Sequence, residues 1–560
     1  MDMSQKTIKH LFTQRNKMYI PTYQRRYSWK RENVERFLDD IEKVIENIDD
    51  PDYTHYIGTV YIQEKQRGVW ELIDGQQRIT TISLIAHSII SNISSRDVEQ
   101  AFNKKTWEHE YLIDRDSGEI KVELSYDDEI EYNDIRTKGD TKGEGTIKTN
   151  YRLINKWVQD EFIEKERDLE VIIKALDRLR IIEVALSEKD NAQEVFDGIN
   201  ATGQPLTTGE QMKNFLLMPF DKNEQERLYL EFWRPIEIEL GTANNFHKYL
   251  TIYLTVKNET QLNTTSSLTK YATFKFFKDK FGLGNREFLE SFKYYFDVYM
   301  SIQENRFNNR DIKITMNRIL YAVKTDGDAL GYLIQLVEYY NTGNIDDGEF
   351  LRVLRLHEGY ILRRILTDGY GGSKSFYNFI HKASREYKET NRATYEEGVK
   401  YTLNRGMDSR TPLNTEVELK VQTTGIGKSK TYLAKYVLER IENGHSKEQM
   451  DVYEDTSTYT VEHIMPQTLT DEWERQLGVS QTEQAPTYLH TLGNLTLTGY
   501  NSEYSNKSFE EKLNVENGFR DSRFTNLNRY LVNKTNWDIN MIKDRSVELA
   551  RRLNELYPYE

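Results

Sequence analysis

The chain contains no cysteine. Disulfides, thiolate zinc sites, iron–sulfur clusters and cysteine nucleophiles are thereby excluded. Proline is scarce, 9 in 560 residues, so the chain is neither collagen-like nor mucin-like. No apolar run approaches the roughly 18 residues of a membrane-spanning helix, and the opening MDMSQKTIKHLF is too polar for a signal peptide. The expectation is a soluble, cytoplasmic protein without a membrane partner. Charge is plentiful instead, at 30%, beside 38% hydrophobic and 12% aromatic residues, a balance that argues against wholesale disorder. At about 100–200 residues per domain, the length suggests roughly three domains.

Positive charge is in deficit overall, with a formal net charge of −14. The deficit is uneven. Residues 107–134 carry eleven Asp/Glu against two Lys/Arg and read as a solvated insertion, whereas residues 22–36 hold five Lys/Arg against two Glu, and residues 506–552 hold ten against seven. Global charge does not exclude a locally positive groove, so nucleic acid stays open as a partner.

The first 220 residues mix periods. Tyr56–Gln63, Val69–Ile73 and Ile181–Leu186 are rich in β-branched and aromatic residues, as strands are. After Asp74-Gly75 the spacing of Ile79, Ile82, Ile85, Ala86 and Ile89 becomes helical. From about 220 to 400 the pattern is almost wholly helical. In 349–366, Leu351, Leu354, Tyr360, Ile361 and Ile365 share a face, with Arg352, Arg363 and Arg364 interspersed. Residues 404–428 have weak periodicity and read as a loop, followed by a helix over 430–443. The segment Gly425-Ile426-Gly427-Lys428-Ser429 mimics a phosphate-binding loop, but Gln422 stands where a Walker A motif needs glycine, so a glycine turn is the better reading.

Three N-terminal segments carry polar residues that structure alone would not require. Ile20–Trp29 (IPTYQRRYSW) sets two arginines among aromatics, a combination suited to phosphate pairing and base stacking. Ile73–Thr81 (IDGQQRITT) falls where strand gives way to helix, so free backbone N–H groups face outward; Arg78 could add a bidentate phosphate contact and Asp74 could bind a metal or orient a water. Val195–Leu206 (VFDGINATGQPL) ends a helix in an Asn-x-x-Gly turn able to approach a ligand closely. In this order the three segments resemble the N-terminal domain of GmrSD-type, modification-dependent (type IV) restriction endonucleases and their phage-defence relatives, over roughly residues 20–217. The resemblance implies a ParB/sulfiredoxin-like fold that binds or hydrolyses a nucleoside triphosphate (GTP, ATP or UTP). It puts Arg25, Asp74, Gln76, Gln77, Arg78 and Asn200 at the pocket.

Near the C-terminus stand EHIMPQ (462–467), GNLTL (493–497) and NSEYSNKSFEEK (501–512). Phosphodiester hydrolysis needs an in-line water, a base and a cation on the leaving oxygen. A histidine beside a carboxylate offers base and ligand, and Mg²⁺ suits oxygen donors. The pattern is similar to the HNH (ββα-metal) nucleases, in the version fused to the N-terminal domain above. By that resemblance His463 is the general base, Asn494 braces the turn, and Glu462 with Asn506 or Asn501 holds Mg²⁺ or Mn²⁺; His490 fits the pattern less well and is taken as structural. Trp537, Arg545 and the Arg551-Arg552 pair either extend a DNA-facing surface or belong to a solvated terminal helix.

The expected architecture is α+β and multidomain: a ParB/sulfiredoxin-like nucleotide-binding sensor domain over 1–219, a helical connecting region over 220–403, and an HNH domain with flanking helices over 404–560. The expected function is an antiphage DNA endonuclease, regulated by nucleotide, acting on modified or invading DNA, and open to homo-oligomerisation. Two alternatives are a DNA-modification sensor with a silent nuclease site acting through a partner, and an N-terminal domain that only orients DNA.

Overall fold

The structure, a computed structural model, describes residues 1–93, 98–187, 189–200, 206–258, 270–324, 327–368, 377–405, 410–426, 431–446, 449–450, 452–453 and 458–559. It is α+β and multidomain, as expected. Contacts divide it into two compact units, residues 1–247 with 268–293, and residues 248–267 with 294–560. The helices of 220–403 are shared between the units.

The first unit is built on six strands: β1 (Asp2–Thr7), β2 (Lys17–Tyr19), β3 (His55–Gln66), β4 (Val69–Asp74), β5 (Val122–Glu123) and β6 (Leu179–Leu186). They lie in the order β1-β6-β3-β4-β2-β5. The β1–β6 and β3–β4 pairs are antiparallel; β3–β6, β2–β4 and β2–β5 are parallel. Strands β3, β4 and β6 fall where the β-branched runs predicted them. The helix Gln76–Asn92 then buries Ile79, Ile82, Ile85, Ala86 and Ile89 completely, as their spacing required.

The acidic block over 107–134 is not a solvated insertion. It supplies β5 to the sheet and the helix Tyr126–Lys138 to the fold. Its carboxylates are drawn inward by specific partners: Asp127 bonds Arg26, Arg234 and the Tyr229 hydroxyl, Glu123 bonds Lys17 and Lys222, and buried Asp128 accepts from the Tyr27 N–H and the Ser125 hydroxyl. Composition reports charge but not pairing, which is why the block reads as solvent-facing.

The second unit is mainly helical and carries the two-stranded antiparallel ribbon of β7 (Thr460–His463) and β8 (Leu495–Thr498), followed by the short helix Asn501–Tyr504. The helices Asp347–Asp368 and Thr431–Asn443 form where the periodicity placed them. Within 404–428, expected as loop, the helix Asn414–Lys420 forms. Glu416 accepts from the Leu413 N–H and the one fully apolar anchor of that helix, Val417, is buried; so short a segment shows no apolar period. Residues 427–429 of the glycine-turn segment lie outside the described residues. Trp537 and Arg545 are interior, so neither reading of the tail holds for them, whereas Arg551 is exposed and paired with Glu418. Arg545 donates to the carbonyls of Gly493, Leu495 and Leu527, seating the terminal helix Ile539–Leu556 against β8. Among the described residues no helix is long and apolar enough to cross a membrane.

Candidate functional site

In the second unit the antiparallel register sets Glu462 opposite Thr496 and His463 opposite Leu495. Neighbouring strand residues face opposite ways, so Glu462 turns inward and His463 outward. The turn behind them is fixed by Asn494, which is fully buried. Its amide oxygen accepts from the Met465 N–H at 2.8 Å and the Trp537 indole at 3.3 Å, and its amide nitrogen donates to the carbonyls of Met465 and Leu489. Asn494 thus sits where the brace was expected, using all its amide capacity on backbone and indole.

His463 Nε2 lies 3.0 Å from Nδ1 of His490, the rings meeting edge to face, and Gln467 approaches the other ring nitrogen at 3.5 Å. His490, read as structural from the motif, is therefore in direct contact with the candidate base. Its backbone is pinned by the Ile426 N–H and by a bridge between Gly425 and Thr491, a long-range pairing no local pattern discloses. Burial first, then the charges of His490 and Lys512, bring the His463 pKa down to about 4, so its ring is neutral near pH 7.

Lys512, fully buried, donates to Glu462 at 2.6 Å and to the His463 carbonyl at 2.8 Å. Burial raises the Glu462 pKa and lowers that of Lys512, and their pairing opposes both shifts. Lys512 stands in the motif, yet only the fold reveals that it grips the carboxylate. Asn501 donates to the Thr460 hydroxyl and the Val461 carbonyl, and its amide oxygen has no hydrogen-bond partner among the described residues, while Asn506 is exposed in the turn that follows. Among the described residues no group of three or more His, Asp or Glu could hold a metal. The oxygens of Glu462 and Asn501 are nevertheless hard donors of the kind Mg²⁺ accepts, few enough that water and phosphate would complete the shell.

In the first unit, all three N-terminal segments line one cavity of about 150 Å³: Gln24, Arg25 and Trp29 from the first, Asp74 to Arg78 from the second, Phe196 and Leu206 from the third. Much of the polarity is spent on building it. Gln24 donates to the carbonyls of Leu72 and Ile73; Gln77 accepts from the N–H groups of Ser28 and Trp29 and donates to the Arg26 carbonyl; Gln76 donates to the Arg25 carbonyl. Arg78 departs from expectation. Its two terminal nitrogens donate to the carbonyls of Ile57 and Thr59 at 2.7 and 2.5 Å, so the bidentate phosphate contact foreseen for it is not on offer. A bulge in β3 around Gly58, with φ of +114°, presents those carbonyls.

What remains open in the cavity is a smaller set. Half-buried Arg25 has no ion pair or hydrogen-bond partner for its side chain among the described residues. Asp74 is raised in pKa by burial, against the Gly75 N–H and the charges of Arg78 and Arg25. The amide oxygen of buried Gln76 has no partner among the described residues. The Trp29 ring lines the wall, a contributor the motif contained but its residue types did not single out. The side chain of Asn200 and residues 201–205 lie outside the described residues.

A family model described as the GmrSD restriction endonuclease N-terminal domain matches residues 8–217, and one described as the GmrSD restriction endonucleases C-terminal domain matches residues 411–552. No curated protein matches the chain.

Proposed function

The chain belongs to the GmrSD restriction endonuclease family, whose substrate is DNA, and on that premise we propose that it cuts with a metal-dependent HNH site in its second unit and binds a nucleoside triphosphate in its first. The observation that carries the first half is the His463 ring, neutral near pH 7 and held at one nitrogen by His490. A neutral imidazole can take a proton from a water aligned with the scissile phosphorus, while Asn494 keeps the turn behind it rigid. Lys512 anchors the His463 backbone through its carbonyl and so limits drift of the ring. Glu462 with Asn501 or Asn506 would hold a Mg²⁺ or Mn²⁺, and that ion would supply positive charge to the leaving oxygen.

In the first unit, Arg25 is the side chain open to a phosphate, Trp29 offers a face for a base, and the Gln76 oxygen asks for a donor such as a ribose hydroxyl or base amino group. Nucleotide state would then gate cleavage, sparing the host chromosome while modified or invading phage DNA is cut. Purified His463→Ala protein is expected to lose nicking of plasmid and phage DNA by at least two orders of magnitude while keeping its circular dichroism and its nucleotide binding. Cutting by that protein at the wild-type rate sinks the assignment of the base.

A further inference from the structure

The arginines interspersed through 349–366 take no part in either site above, yet the second unit gathers them. The helices Asp347–Asp368 and Tyr395–Leu403, with the segment 556–559, enclose a cavity of about 220 Å³. Gly359 brings that segment close: a Cβ there would stand 3.1 Å from Cβ of Tyr557. Four cations line the space, Arg352, Arg355, Arg363 and Lys400, against one carboxylate, Glu396. That carboxylate is already shared, at 2.6 Å from Arg352 and 3.4 Å from Lys400.

The other two cations have no carboxylate partner among the described residues. Arg355 is exposed and has no carboxylate partner among the described residues. Arg363 is 4% exposed, and among the described residues its guanidinium donates to the carbonyls of Pro412 at 3.0 Å and Tyr557 at 2.8 Å and to no carboxylate. A buried guanidinium without a carboxylate is costly, and burial brings its pKa down to about 10. An anion entering the cavity would offset that cost.

We propose that this cavity is a phosphate-binding subsite of the nuclease unit that takes the sugar–phosphate backbone of the DNA substrate. Exposed Arg355 is the guanidinium placed to fork onto phosphate oxygens, whereas Arg363, with both terminal nitrogens held by carbonyls, adds its charge from behind; the Tyr559 ring, 5.7 Å from the Arg363 guanidinium carbon, lies on the wall beside them. The subsite positions DNA without reading its sequence, since backbone contacts carry register and affinity but no base identity. It rests on DNA being the substrate and not on which residue is the base.

The test is a salt series of duplex binding by fluorescence anisotropy, using the full chain carrying His463→Ala. Adding Arg355→Ala should weaken binding several-fold and lower the slope of log K against log salt by about one, because one phosphate contact is lost. Adding Glu396→Gln instead should tighten binding. Lys156→Ala, which removes an exposed lysine paired with Asp160, should do neither. A slope unchanged by Arg355→Ala overturns the proposal, as does weaker binding with Glu396→Gln. Calorimetry with GTP and inorganic phosphate separates the other source of the same chemistry: loss of either by Arg355→Ala, with duplex affinity intact, assigns the cavity to a free phosphate ligand and overturns the proposal. Residual cutting by His463→Ala would show as shortened duplex on a gel and would count against the base, not against the subsite.

Discussion

At the scale of single residues, burial decides chemistry more than residue type does. Arg78 and Arg25 stand in adjacent motifs with equal side chains, but the carbonyls of Ile57 and Thr59 capture the first and leave the second for a ligand. Asp128 shows the cost of the same burial. Enclosed among Tyr27, Ser125 and the sheet, its pKa is pushed up to about 6 by desolvation, against the Tyr27 N–H and the Ser125 hydroxyl. A carboxyl whose folded pKa exceeds its unfolded value contributes stability below pH about 4, and that contribution is lost as pH rises through about 6. Asp128→Asn should therefore flatten the fall in stability between those limits and gain on the order of 2 kcal/mol over wild type at pH 7. Urea unfolding at pH 4 and pH 7 checks it; an equal effect at both values would refute the linkage.

Among elements, close approach sets the tolerance. The turn Leu492–Asn494 presses against the helix Ile539–Leu556 so tightly that a Cβ on Gly493 would lie 1.9 Å from the Ile542 carbonyl oxygen. Gly493→Ala should cost about 1–3 kcal/mol by overpacking and reduce cleavage as well, because the Asn494 brace is the next residue. Gly331→Ala, whose Cβ would meet nothing nearer than 3.7 Å and which lies in neither site, is the matched control. Thermal melts and nicking rates of the two variants should diverge; similar melts would mean that the turn can shift. The acidic block makes the complementary point, since β5 and the helix after it are held by cations distant in sequence, such as Lys222 and Arg234.

For the molecule as a whole, a net charge of −14 coexists with a basic cavity in the second unit and an open arginine in the first. Long-range repulsion of DNA is screened within about 8–10 Å at physiological salt, so local pairing decides where a phosphate settles. If the first unit binds nucleotide, calorimetry on the full chain should give heat with GTP, ATP or UTP that falls at least tenfold in affinity with Arg25→Ala. No heat with any of the three removes the nucleotide from the proposed function and favours a first unit that only orients DNA.

The sequence by itself determined the class of fold, the strands β3, β4 and β6, the long helices with clear periods, and the two motif sets whose order resembled the family. These follow from local rules: side-chain period, turn chemistry and the spacing of polar residues. Only the tertiary structure decided that His490 meets His463, that Lys512 holds Glu462, that Arg78 serves the backbone, and that Arg545 and Trp537 are interior. Each of those depends on contacts between residues tens of positions apart. No local period encodes such a contact; chain topology and burial create it.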